Sequence, residues 1–263
     1  MNRLLNTAIF LCLITSSFPA GFGIAGTKVN FSGSSYAQNV VEFSADYQAS
    51  ANGIAATATR TLQHLSGESY RLSNSLEASL AGQVIARLDQ VSEFQVAAEP
   101  GDQHIIPISY SYLLSGVSSA VSTVNYNWDT GIAISREDDE RWSITLTDGV
   151  LDQLSYQFAL RQRIAAGERG YLEFQLIDED EIELHRYHVV GEELLSTPLG
   201  LLNTTRLDRI REEDDDRRTV IWLANDWHYL LAKIEQRSGS GLRIELELES
   251  ATVDGDAVIA LSP

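Results

Sequence analysis

The densest group of aromatic and titratable side chains lies in Trp222-Leu223-Ala224-Asn225-Asp226-Trp227-His228-Tyr229. Asp226 with His228 has the residue types of an acid/base pair, and a hydrolase built on them needs a nucleophile close by. No Gly-x-Ser-x-Gly turn presents a serine. An Asn-Asp step between strands is otherwise a turn whose side chain caps its own backbone, with the tryptophans at core or rim. Carboxylate pairs that cleave glycosides come from separate strands and leave no local signature, so a carboxylate-based hydrolase that includes Asp226 stays open as a third reading.

Other candidates fit structural roles. His185 and His188 stand three apart, which on a strand sends them to opposite faces. Metal ligands sharing a face should be two apart, so both are read as exposed strand histidines. The run Glu212-Glu213-Asp214-Asp215-Asp216 has the oxygens for Ca²⁺ but neither the alternating spacing nor the glycine of such loops. Flanked by Arg211, Arg217 and Arg218, it reads as a solvated hairpin tip, and Asp178-Glu179-Asp180-Glu181 reads as another. No catalytic residue, metal or cofactor is assigned. Ile106, Ile108, Tyr110, Tyr112 and Leu114 line one strand face, which in a barrel fills the core or walls a cavity suited to a lipid. Phosphate-cradling glycine loops and basic-aromatic nucleic-acid surfaces are absent.

The elements that must position these residues are strands. Val41, Phe43, Ala45, Tyr47 and Ala49 alternate with Glu42, Ser44, Asp46, Gln48 and Ser50, and Asn52-Gly53 supplies a tight hairpin into Ile54 to Leu62. The grammar recurs at Tyr70–Ala78, Val84–Val96, Ile105–Leu114, Thr123–Trp128 and Arg141–Leu146. It resumes at Tyr171–Ile177, Ile182–Val190, Thr204–Ile210, Arg217–Ala224 and Leu231–Arg237. Leu242, Ile244, Leu246 and Leu248 alternate with Arg243, Glu245, Glu247 and Glu249 in a strand with one covered side. One segment departs: Val150, Leu151, Leu154, Phe158, Arg161 and Ala165 recur at three and four. Asp148 or Asp152 can cap the start and Gly167 the end, so an amphipathic helix is expected over Val150 to Ala166. A dozen or so antiparallel strands with one helix make an all-β fold, a large open or closed β-barrel-like sheet, because a flat sheet of that size leaves long edges exposed.

The beginning of the chain reads as a secretory signal. Arg3 precedes the apolar run Ala8 to Ile14, which is too short to span a bilayer. Cleavage between Ala25 and Gly26 uses the small residues Gly23 and Ala25, whereas a cut after Ala20 puts Phe18 in the first of those positions. A signal peptide over 1–25, a leader over 26–40, a single barrel-like domain over 41–251 and a tail over 252–263 follow. The one cysteine, Cys12, lies in the signal, so the mature chain has no thiol for a disulfide, metal or catalysis, and the large residues before it argue against a lipid anchor. Loss of Arg3 takes the net charge from −18 to −19, which disfavours nucleic acid, polyanionic glycans and anionic membrane surfaces as electrostatic partners. No later segment offers a membrane span.

Three motifs in order resemble a known family: Leu151-Asp152-Gln153-Leu154-Ser155, then Thr197-Pro198-Leu199-Gly200, then Trp222-Leu223-Ala224-Asn225-Asp226 followed by Leu230-Leu231-Ala232-Lys233-Ile234. Together, over Val41 to Ser250, they resemble the exported bacterial proteins grouped as domain-of-unknown-function family 3108. Gln153 stands where family members tend to have proline, and Leu231-Ala232 replaces a Pro-Val step. The first change loosens the helix start and the second frees a backbone N–H for the sheet. The resemblance implies a periplasmic β-barrel-like protein of Gram-negative bacteria without an assigned activity, and it supplies no catalytic residues. Expected partners are a lipid or other amphipathic small molecule held in the barrel, or an envelope protein if the chain is instead a scaffold or interaction module.

Overall fold

The computed structural model of the protein describes residues 40–99, 102–211, 215–239, 241 and 243–262. The expected signal peptide, the Ala25–Gly26 cleavage site, the leader to residue 39 and Glu212 to Asp214 lie outside them. The elements are β1 (Phe43–Ala51), β2 (Ile54–Ser66), β3 (Ser69–Leu80), β4 (Gln83–Glu99), β5 (Asp102–Gly116), β6 (Ala120–Asn127), β7 (Ile132–Glu137), β8 (Glu140–Thr145) and β9 (Val150–Leu151). Then come helix α1 (Ser155–Ala165), β10 (Tyr171–Asp178), β11 (Glu181–Thr197), β12 (Gly200–Ile210), β13 (Arg218–Ala224), a 3₁₀ turn at Asn225–Trp227, β14 (Leu230–Arg237), β15 (Arg243–Val253) and β16 (Asp256–Ala257).

The alternation read in the sequence becomes inside and outside. Phe43, Ala45, Tyr47 and Ala49 are buried while Ser44, Asp46 and Gln48 are exposed. Asn52 and Gly53 turn the chain with φ of 48° and 82°, the left-handed pair that matches strand twist in a two-residue hairpin. Successive hairpins lay β1 to β8 side by side on one flank. On the other flank β1 pairs with β15, which leads through β14, β13, β12, β11 and β10 to β9 at the far edge. The sheet is antiparallel except for β9, which runs parallel to β10, and it does not close through hydrogen bonds between β8 and β9. Yet only residues 146–149 separate those two edge strands in the chain. The edges therefore lie within about 18 Å of each other, and the sheet must curl into a barrel-like wrap.

Helix α1 fills the wrap. None of its eleven residues is exposed, and Tyr156, Phe158, Ala159, Leu160 and Ile164 are buried. The expected amphipathic helix thus turns its apolar face inward, while Gln157, Arg161, Gln162, Arg163 and Ala165 stay half-buried. Its start is corrected. Val150 and Leu151 pair with Gln175 and Leu176 as a strand, because the buried Asp152 carboxylate accepts the N–H groups of Leu154 and Ser155, both at 2.8 Å, and starts the helix only there. The end falls as expected: Glu168 N–H donates to Arg163 C=O and Gly167 N–H to Ile164 C=O, both at 3.0 Å, a Schellman closure.

Three further differences have simple causes. β7 escapes the sequence pattern because Ile132, Ala133 and Ile134 are all apolar, while the inward residues are the small Ala133 and Ser135. The face expected to run from Ile106 through Ile108 to Leu114 breaks at a bulge between Glu93 and Phe94: Pro107 becomes buried, Ile108 is exposed, and Tyr110, Tyr112 and Leu114 stay inside. The expected tail docks instead. β16 pairs with β15, Val258 is buried, and Leu261 N–H donates to Leu201 C=O at 2.8 Å.

Candidate functional site

Residues paired across antiparallel strands share a face, so the register writes out the inner wall row by row. From β1 to β5 one row reads Phe43, Leu62, Leu72, Ser92 and Tyr110. The next reads Ala45, Arg60, Asn74, Gln90 and Tyr112, and the third Tyr47, Ala58, Leu76, Leu88 and Leu114. A polar row therefore crosses the interior between two rows that are largely apolar. Asn74 Nδ2 donates to Gln90 Oε1 at 2.9 Å, and Gln90 Nε2 donates to the Tyr110 hydroxyl at 3.0 Å. Arg60 Nη2 reaches across to α1 and donates to Gln157 Oε1 at 2.8 Å. Asn74 Oδ1 and Arg60 Nε are buried without partners, so the row keeps hydrogen-bonding capacity in hand.

Helix α1 completes this lining because Asp152 pins it to the sheet. The carboxylate, fully buried, also accepts the Ser92 hydroxyl at 2.7 Å, while Ser155 Oγ accepts the Asp152 N–H at 2.9 Å. Burial pushes the Asp152 carboxyl up, and the donors from Ser155, Ser92 and Leu154 pull it back. Phe158 packs on Phe94 with ring centroids 5.1 Å apart, and Tyr156 lies parallel to Tyr187, whose hydroxyl donates to it at 3.1 Å. One helical turn after Gln157, Arg161 lies over the Phe43 ring at 4.7 Å and donates from Nη2 to the His228 carbonyl at 3.0 Å. Burial drives the guanidinium of Arg161 down to about 10 and that of Arg60 downward too.

A second titratable group gathers at the β10–β11 turn. His185, read as exposed, is 4% exposed, whereas His188 is half-buried on the opposite face as its odd spacing requires. The correction follows from β11, whose His185, Tyr187 and Val189 point inward together. Nε2 of His185 lies 3.2 Å from Glu183 Oε2, its Nδ1 is buried without a partner, and burial lowers its pKa. Asp178, read as part of a wet tip, is buried as well. Burial and then the charges of Glu183, Glu179 and Glu137 push its carboxyl up to about 7, so it gains a proton as pH falls below neutral. Glu137, on β7, is raised to about 7 by burial and by Glu179, which places the β7–β8 and β10–β11 turns together.

The aromatic cluster of 222–229 does not form an acid/base pair. Trp222 is buried and donates its indole N–H to Glu193, while Asp226 is exposed and accepts from Asn203 Nδ2 at 2.8 Å. His228 and Tyr229 take φ of 52° and 55°, the backbone of a turn. An open cleft of about 580 Å³ lies here, between Glu192–Leu194, Asn203–Thr204 and Asn225–Asp226. Of the acidic run, Asp215 is held down to about 2 by Arg217, which it pairs with at 2.6 Å. Among the described residues no group of three acidic, histidine or cysteine side chains is arranged to hold a metal. Nor, among the described residues, is any helix long and apolar enough to cross a membrane.

Arg60, Asn74 and Gln90 were not singled out by sequence reasoning. A signal existed: Arg60 falls in phase with Ala56, Ala58 and Leu62 on the face that the alternation turns inward. Arg161 likewise sits on the apolar three-and-four pattern of the helix.

Comparison with known proteins agrees with this architecture. A family model described as protein of unknown function (DUF3108) matches residues 43–247. Among curated proteins none matches the chain. Among solved structures, a beta-barrel-like protein of domain of unknown function DUF1849 from Brucella abortus superposes with a TM-score of 0.51 at 11% identity, over 81% of this chain and 98% of that one. That likeness is one of fold.

Proposed function

Because this chain belongs to the DUF3108 family of proteins of unknown function, and its unclosed sheet carries a polar row between apolar ones, we propose that it is an exported envelope protein of the periplasm that binds an amphipathic ligand. The observation that carries the reading is the inner wall itself. Arg60, Asn74 and Gln90 cross a surface otherwise made of Phe43, Leu62, Leu72, Tyr47, Leu88 and Leu114, and two of those polar groups retain unpaired atoms. A solid core gains nothing from such atoms, each of which costs roughly 1–3 kcal/mol when left unsatisfied. A ligand with one polar and one apolar end satisfies them and keeps the rest of the wall dry.

Native mass spectrometry with organic extraction, on protein purified gently from the periplasm of a Gram-negative host, tests both halves. The expected result is a mature chain beginning at Gly26 with a near-stoichiometric amphipathic adduct. An apo mass that also fails to take up an added amphiphile overturns the binding reading, and retention of residues 1–25 overturns the cleavage.

A scaffold role is favoured by a different observation. Leu80, Val84, Leu113, Val117 and Val121 are exposed at the adjoining ends of β3 to β6, an apolar surface of the kind that meets another protein. Crosslinking to one envelope protein that is lost on Val84→Asp and Val117→Asp supports that role; unchanged crosslinking removes it.

A further inference from the structure

Arg60 and Arg161 are charged side chains placed where charge is expensive. Arg60 is 7% exposed, in phase with Ala56, Ala58 and Leu62, and its neighbours across the strands are Ala45 and Asn74. Its one hydrogen bond goes to the neutral amide of Gln157. Arg161 shares that face of α1, four residues on, and its hydrogen bond goes to a neutral backbone carbonyl. The Nε atoms of both are buried and unpartnered.

No described carboxylate pairs with either guanidinium, although the chain carries 37 Asp and Glu against 19 Lys and Arg. The contrast within the molecule is sharp. Arg206 pairs with Asp208 at 2.9 Å, Arg217 with Asp215 at 2.6 Å, and Lys233 with Glu235, Glu245 and Glu247 at 2.8 to 3.0 Å. The nearby phenol of Tyr47 is no counter-ion: its hydroxyl donates to the Leu231 carbonyl, and burial raises its pKa to about 12. A buried Arg60 beside a half-buried Arg161, like charges without an anion, is destabilising unless something supplies one. Guanidinium groups present paired donors that suit planar or tetrahedral oxyanions.

We propose that Arg60 and Arg161 form the head-group end of the interior site, and that the ligand is an anionic amphiphile. Its carboxylate or phosphate meets both guanidiniums, and its apolar chain lies along the half-buried, inward-facing Leu76 and Leu88 of the adjoining row. This rests on the amphipathic-ligand reading and adds the charge of the ligand to it.

The test is calorimetric titration of the full mature chain with dodecyl phosphate, dodecanol and inorganic phosphate. Dodecyl phosphate is expected to bind at least about 30-fold more tightly than dodecanol, since each charge-assisted contact is worth on the order of a tenfold factor. In the Arg60→Gln, Arg161→Gln double variant the two should bind within about threefold of each other, with dodecanol affinity unchanged. If the double variant does not fold, Arg161→Gln alone should cut the preference about fivefold to tenfold, and Arg161→Lys should restore most of it. Equal binding of dodecyl phosphate and dodecanol by the unaltered protein overturns the anionic head group while leaving the amphipathic reading standing. Binding of neither overturns both. Inorganic phosphate binding as tightly as dodecyl phosphate overturns the amphiphile in favour of a free oxyanion.

Discussion

Asp178 shows how one side chain can set the acid response of a fold. Burial, reinforced by Glu183, Glu179 and Glu137, raises its folded-state pKa to about 7, while in the unfolded chain it returns to the ordinary carboxylate value near 3.8; Arg209 opposes the rise. A raised carboxyl stabilises the fold fully below the unfolded value, and that contribution is lost as pH climbs from about 4 through about 7. Asp215 works the other way. Held down to about 2 by Arg217, it contributes above pH 4 and loses that contribution as pH falls toward 2. Replacing Asp178 isolates the first effect. Asp178→Asn should raise stability by on the order of 2 kcal/mol at pH 8, where the native carboxylate is forced to ionise, and bring no gain at pH 4. Urea midpoints measured from pH 4 to pH 8 check this, and curves that stay parallel for the two proteins rule it out. The sequence placed Asp178 on a wet hairpin tip because four acids in a row look solvated. What it does not display is that β10 ends with Leu176, Ile177 and Asp178 all buried, with the acidic side chains of Glu137, Glu179 and Glu183 close to Asp178.

At the scale of elements, the strands were legible and the helix only half so. An antiparallel sheet with one wet side imposes a period of two, which β1, β2 and most of β10 carry openly, whereas β13 is a continuous apolar run buried on both faces. The start of α1 depends on a single carboxylate that caps Leu154 and Ser155 and is held in place from another element by Ser92 on β4. Val150 and Leu151 happen to fall at helical spacing, yet their backbone joins β10. The polar row of the candidate site was hidden for a related reason: Arg60, Asn74 and Gln90 lie 14 and 16 residues apart and meet only through register. Asp152→Ala should therefore cost about 3 kcal/mol, the sum of a lost cap and a buried Ser92 hydroxyl left without an acceptor. Asp152→Asn keeps the Oδ1 acceptor for Leu154 and Ser155 and should cost only about 1 kcal/mol. Equilibrium urea unfolding followed by circular dichroism distinguishes them; equal losses, or losses below 0.5 kcal/mol in both, sink the account of how the helix is anchored.

The whole molecule is a sheet that curls until its edges meet without zipping. Two features produce this. β1, near the start of the described chain, lies mid-sheet and pairs with β15, so that Phe43 faces Val253 and Asp254 N–H donates to Glu42 C=O at 2.9 Å. At the other end of the path, residues 146–149 tie edge strand β8 to edge strand β9, and the seam is spanned by side chains: Tyr126 donates to the Leu151 carbonyl at 3.1 Å and Thr147 to Gln175 Oε1 at 2.8 Å. The covalent tie therefore does at the seam what a ladder does elsewhere, holding two edges at high effective concentration. Circular permutation separates this from the rest of the fold: Glu42 and Asp254 already adjoin, and a linker long enough to pass the docked residues 255–262 can join the ends. A permutant opened between Asn52 and Gly53 cuts a hairpin and leaves the seam tied. One opened between Asp148 and Gly149 keeps every hairpin and unties the seam. In the second, amide exchange at Val150, Leu151, Gln175 and Leu176 should speed up by at least about tenfold, the effect of losing roughly 1.4 kcal/mol of local closure, while the first should leave those amides as slow as in the native chain. Equal exchange in both would mean that the packing of α1 against β4, β5 and β10 holds the wrap shut by itself, and that the sheet needs no tether between its edges.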